Sequence, residues 1–147
     1  MCGHIGSRPQ LAPLQGGYGA AGRTAADARQ IVRDAVALER AGAVMLLVEA
    51  VPDEVTEEIM RATSVPLIGI GAGTACHGQV LVLQDLLGLS DRPPRFAEAV
   101  ARLGPELQRA GAEWVARVRS RRIGGRRYVM PENESQKLRN DPGPRAE

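Results

Sequence analysis

The chain has 147 residues, of which 44% are hydrophobic and 24% charged, and its formal net charge is +2. That is the length of one domain and the composition of a soluble globular protein, and it falls short of a complete eight-stranded β/α barrel, which takes about 250 residues. No apolar run approaches the ~20 residues of a membrane span, and the start, Met1-Cys2-Gly3-His4, lacks the basic-then-apolar pattern of a secretory signal.

Strand and helix patterns alternate along the chain. A first strand precedes the glycine-rich stretch Gln15-Gly16-Gly17-Tyr18-Gly19-Ala20-Ala21-Gly22-Arg23, which reads as a flexible loop, either a lid or a plain connection. The spacing of Ala28, Ile31, Val32, Ala35 and Leu38 predicts a helix over 24–41, with Thr24 as N-cap and Gly42 just past the end. Ala43-Val44-Met45-Leu46-Leu47-Val48 follows and is apolar on both faces, as in a strand covered on both sides. Pro52 and Asp53 open a second helix with Val55, Ile59 and Ala62 on one face, and Val65 to Ile70 reads as the next strand. Strand, helix and strand with short links make a right-handed parallel βαβ unit.

Val80-Leu81-Val82-Leu83 is compatible with a short buried strand or with part of a helix. Two helices are predicted after it, Arg95 to Leu103 and Glu106 to about Ser120, divided by Gly104-Pro105. Leu107, Ala110, Trp114 and Val118 mark the expected buried side of the second. Beyond Ser120 the periodicity stops, so 1–120 reads as the folded domain and 121–147 as a basic, disordered tail.

Charge follows that division. Residues 1–116 carry 10 arginines against 13 acids, and residues 117–147 carry nine cations against four acids. The arginines of 117–127 have only Tyr128 nearby for stacking and belong to no recognisable binding module, so no nucleic acid is expected as partner. The two cysteines, Cys2 and Cys76, do not form a disulfide framework, and a reducing cytoplasm is the simplest setting. Cys2, His4, Cys76 and His77 lack the spacing of a zinc site.

Glu49 is the most informative residue. It ends an otherwise apolar strand, and parallel α/β folds bind ligands at the carboxyl ends of their strands. A carboxylate placed there is positioned to act as a general base; a solvated loop glutamate or an arginine partner is the competing reading. His4, in Gly3-His4-Ile5-Gly6, is either a donor to a substrate oxygen or a frayed terminal histidine. Gly69-Ile70-Gly71-Ala72-Gly73 has Thr74 where a dinucleotide fingerprint needs its third glycine, so a tight turn at a barrel rim is the expectation.

These segments occur in a telling order. Gly3-His4-Ile5-Gly6, Pro9-Gln10, Gly16-Gly17-Tyr18 with Gly22-Arg23, Val48-Glu49-Ala50-Val51-Pro52, Pro66 to Gly73, and Gly78-Gln79-Val80-Leu81-Val82 with Asp85 and Gly88 together resemble the ketopantoate hydroxymethyltransferase family from Gly3 to about Ser120. The resemblance implies the C-terminal half of a (β/α)8 TIM barrel, with parallel strands and outer helices. It implies transfer of a hydroxymethyl group from 5,10-methylenetetrahydrofolate to 3-methyl-2-oxobutanoate, giving ketopantoate on the way to pantothenate and coenzyme A. Glu49 is then the base that takes the C3 proton, magnesium stabilises the enolate as a Lewis acid, and His4 contacts the keto acid. The implied partners are the small keto acid and folate, with homo-oligomeric assembly as in the family decamer.

The family's metal- and keto-acid-binding groups precede the Gly-His-Ile-Gly segment: an Asp-Ser pair, a second Asp, and a Lys with a nearby Glu. They have no counterpart here, and the only lysine is Lys137. The expectation is therefore no metal site in these residues and no activity from them alone. A different barrel lyase or aldolase acting on a keto acid, and a non-catalytic relic or assembly module, are the alternatives.

Overall fold

A computed structural model describes residues 1–15, 17–140 and 143. They fall into two compact units, Met1–Glu106 and Leu107–Glu147.

The first unit is built on a four-stranded sheet in the order β1-β2-β3-β4. The strands are β1 (Cys2–Gly6), β2 (Met45–Glu49), β3 (Leu67–Ile70) and β4 (Gly78–Gln79). Every neighbouring pair is parallel, and Gly6, Glu49 and Ile70 lie in register at the carboxyl ends. Between β1 and β2 run a 3-10 segment, Pro9–Gln15, and helix α1 (Ala25–Arg40); helix α2 (Asp53–Ala62) links β2 to β3. The predicted loop thus begins with a 3-10 turn, and its Gly16 lies outside the described residues.

The helices begin and end where the sequence chemistry directs. The Thr24 hydroxyl accepts from the Asp27 amide at 3.2 Å, capping α1. Pro52 precedes α2, and Asp53 and Glu54 lie in its first turn, where the helix dipole favours negative charge.

One face of the sheet is core. Gly3, Ile5, Leu46, Val48 and Leu67 are buried, together with Ile31 and Ala35 of α1 and Val55 and Ile59 of α2. A Cβ at Gly3 would lie 3.0 Å from the Leu38 Cδ1, so α1 sits close on β1. The only buried hydroxyl of α2, Thr56, donates to the Ala72 carbonyl at 2.7 Å and ties the helix to the turn after β3. Thr56→Val keeps the shape and strands that carbonyl; we expect a loss of about 1–3 kcal/mol, read from the urea unfolding midpoint.

The opposite face corrects an expectation. Both faces of the Ala43–Val48 stretch were to be covered, yet Met45 and Leu47 are only half-buried, like Ile68 beside them, while His4 on the same face is exposed. Both helices lie on the other side, so among the described residues this apolar face is left without a layer.

Three further readings change. Residues 95–103 form no helix: the amides of Val100 and Leu103 donate to Leu86 and Leu87 carbonyls at 2.9 and 3.0 Å. Those carbonyls end the short helix α3 (Leu83–Leu86), so this segment satisfies its backbone on α3 instead of on itself. Of Val80-Leu81-Val82-Leu83 only Leu83 is helical, as the first residue of α3; Val80 to Val82 are in neither strand nor helix, although the Val80 amide reaches the Gly69 carbonyl at 2.9 Å. Helix α4 (Gly104–Arg119) forms, with Gly104-Pro105 inside its start. Its expected buried side is exposed: Leu107, Trp114 and Val118 all face water. Helical spacing decides which residues share a face; burial needs an opposing surface as well.

After Ser120, helix α5 (Glu132–Asn140) appears where periodicity predicts no element. It has no buried residue and no apolar stripe; acids in its first turn, bases in its last, and a Lys137–Glu134 pair at 2.9 Å support it. Within the tail, residues 141, 142 and 144–147 lie outside the described residues. No helix among the described residues is long and apolar enough to cross a membrane.

Candidate active site at the strand ends

The carboxyl ends of β1, β2 and β3 converge with the glycine-rich loop. Glu49 is the last residue of β2, and its backbone is held on both sides. Its carbonyl accepts from the Ser7 amide at 2.8 Å, and the next amide, Ala50, donates to the Ile70 carbonyl at 2.9 Å. Ala50 itself has φ 47, an uncommon conformation for a residue with a side chain, and accepts from the Ala21 amide at 2.9 Å. That last bond clips the loop to the strand end.

Gly6 is required by this packing. It has φ +93, and a Cβ there would collide with the Glu49 carbonyl oxygen and come within 2.9 Å of Val51.

The structure brings the two sequence-predicted residues together. His4 Nε2 lies 3.0 Å from Glu49 Oε2. His4 and Glu49 share the uncovered face because Gly6, opposite Glu49, is two residues on from His4. The Glu49 side chain is 12% exposed and that of His4 35%, so a ligand can still reach the imidazole.

A third member was not foreseen. The Tyr18 hydroxyl donates to Glu49 Oε1 at 2.8 Å. Its pKa is pushed up to about 12, first by burial and then by the hydrogen bond and charge of Glu49, with the Ser7 hydroxyl opposing. Tyr18 therefore holds its proton at neutral pH and donates it to the Glu49 carboxylate. Its ring tilts against Phe96, with centroids 6.5 Å apart and planes at 55°. The Phe96 ring in turn occupies the space above Gly71, which a Cβ would take. Within the Gly69-Ile70-Gly71-Ala72-Gly73 turn, Gly71 thus makes room for a ring and Gly73 for the Asp53 carboxylate, and no helix follows directly. The signal was present in composition, since the chain has only four aromatic residues and two of them meet here.

Cys76 and His77 are elsewhere employed. His77 Nδ1 accepts from the Leu67 amide at 3.1 Å, at the start of β3, and burial pushes the Cys76 thiol up. Among the described residues no three His, Cys, Asp or Glu side chains converge to hold a metal ion. His4 and Glu49 do not make a magnesium site, which asks for a near-octahedral set of oxygens, so no step is assigned to a metal here.

Residues 1–125 match the family model described as Ketopantoate hydroxymethyltransferase. The chain belongs to that family. It is 49% identical over 122 residues to a Pseudomonas entomophila protein named 3-methyl-2-oxobutanoate hydroxymethyltransferase 2, covering 82% of this chain and 46% of the relative. A Halorhodospira halophila 3-methyl-2-oxobutanoate hydroxymethyltransferase is 45% identical over 120 residues, covering 82% and 44%. One from Hyperthermus butylicus is 42% identical over 137 residues, covering 92% and 48%. The chain thus spans about half the length of the curated relatives it matches.

Proposed function

We propose that this chain is the C-terminal part of a ketopantoate hydroxymethyltransferase, with Glu49 as the proton acceptor and His4 as a contact to the keto acid. The observation that carries the reading is the Glu49 carboxylate at a parallel strand end, gripped by His4 and Tyr18, in a chain of this family.

The chemistry suits the site. The ketone of 3-methyl-2-oxobutanoate acidifies the C3–H bond, and the carboxylate removes that proton to leave an enolate. C3 then bonds to the one-carbon unit of 5,10-methylenetetrahydrofolate; water supplies the hydroxyl, and ketopantoate and tetrahydrofolate leave. His4 sits beside the base, so a keto acid held by its imidazole lies within the base's reach.

Residues 1–120 would supply the barrel portion and 121–147 a basic tail. Strand order that follows chain order, with α1 and α2 on one face, suits a singly wound barrel better than a doubly wound sheet. On this reading the half-buried Met45, Leu47 and Ile68 face the barrel interior, and the edge of β1, which no strand pairs among the described residues, favours self-association, in keeping with a homo-oligomer. Free Cys2 and Cys76 suit a cytoplasmic enzyme.

We expect the 147 residues by themselves to show no turnover with keto acid, magnesium and 5,10-methylenetetrahydrofolate, because the family's metal- and keto-acid-binding groups are not among them. A chimaera of the Pseudomonas entomophila relative, with its matching segment replaced by residues 1–125, should form ketopantoate in a folate-dependent manner. A folded but inactive chimaera would overturn the assignment, and brisk turnover by the 147 residues would overturn the expected inactivity.

A further inference from the structure

A carboxylate that abstracts a proton from carbon must present a lone pair at a fixed place, because small misplacements of the reacting groups are costly. The Glu49 side chain could turn about its last bond. Two donors on different elements stand in the way: His4 on β1 at Oε2, and Tyr18 on the glycine-rich loop at Oε1. A carboxylate offers about four lone-pair positions. Two contacts leave about half of them for a substrate proton while fixing the plane of the group.

We infer that Tyr18 is a positioning residue for Glu49, carried to it by the glycine-rich loop and held there by Phe96. The inference rests on Glu49 being the base. The loop is anchored at one point by the Ala21 amide on the Ala50 carbonyl, and the phenol adds a second attachment at the carboxylate itself. The ring is backed by Phe96, which stands on Gly71. Four separate segments, β1, the loop, β2 and the stretch after α3, therefore set one carboxylate.

The test needs no turnover and uses the intact chain. In a Tyr128→Phe background Tyr18 is the sole tyrosine, and its phenol can be followed by absorbance and by the 13Cζ resonance. The phenol should titrate at about 12. Glu49→Gln removes the neighbouring charge and should lower that midpoint by about one pH unit, and it should shift the 13Cζ resonance at neutral pH. A purely structural tyrosine, packed on Phe96 alone, would show neither change. A cross-peak between the Tyr18 ring and the Glu49 γ-protons in the unsubstituted chain gives the same answer should the variant fail to fold. Equal midpoints and resonances in the folded variant, or a missing cross-peak, would overturn the inference. Loss of this contact would leave Glu49 standing as the base, and failure of the chimaera to turn over would leave the contact standing.

Discussion

Glu49→Gln, introduced into the chimaera that carries residues 1–125, should reduce kcat about 10²–10⁴-fold, the range that a positioned general base contributes. Gln has the shape of Glu, and its amide oxygen can still accept from Tyr18 at the Oε1 position. What it cannot do is take a proton from carbon. The KM for the keto acid should therefore change little, because the loss falls on the transition state. The direct measurement is exchange of the C3 proton of the keto acid in deuterated water, followed by NMR. Exchange at the wild-type rate in the variant would remove Glu49 from the role of base, whatever happened to the later carbon–carbon bond formation.

The largest stability effect should come from Leu46→Ala. Leu46 is fully buried in the central part of the sheet, and a Cβ at Gly3 would lie 2.8 Å from its Cδ2. Truncation opens a cavity between sheet and helix that α1 and α2 can only partly close, and the expected cost is about 2–5 kcal/mol. Against the roughly 5–15 kcal/mol of a typical domain that is a substantial part of the whole. Leu47→Ala, one residue along and on the uncovered face, should cost clearly less. Urea unfolding of the two variants at matched protein concentration checks both. Equal losses would mean that a second surface covers Leu47 in solution.

That contrast also bears on what the sequence could disclose. Leu46 and Leu47 are the same residue type side by side, so composition marks the strand without saying which face is packed. The α1 stripe, the Thr24 cap and the Pro52 start of α2 were legible because each depends on residues within one or two helical turns. Glu49 was legible too, as a lone acid ending an apolar strand. Tyr18 was not, since its partner is 31 positions away and reaches it only through the fold. Phe96 was concealed differently: its segment has helical spacing, yet the backbone partners on α3 prevail over that tendency. The stripe of α4 was read correctly as a shared face and incorrectly as a buried one, because a sequence pattern specifies adhesion without supplying what it adheres to.

The monotone order of the sheet has a consequence for how this chain comes to be folded. Each strand lies beside its neighbour in sequence, so no pairing waits for a distant segment to arrive. Cys2 pairs with Met45 and Leu46 with Leu67, and the entropy of closing each connection grows only slowly with its length. Such a sheet can be assembled by accretion, one strand-and-helix module at a time, in the order of synthesis. The edge of β1, which no strand pairs among the described residues, is then a place where one more strand can be laid without disturbing the pairs already formed.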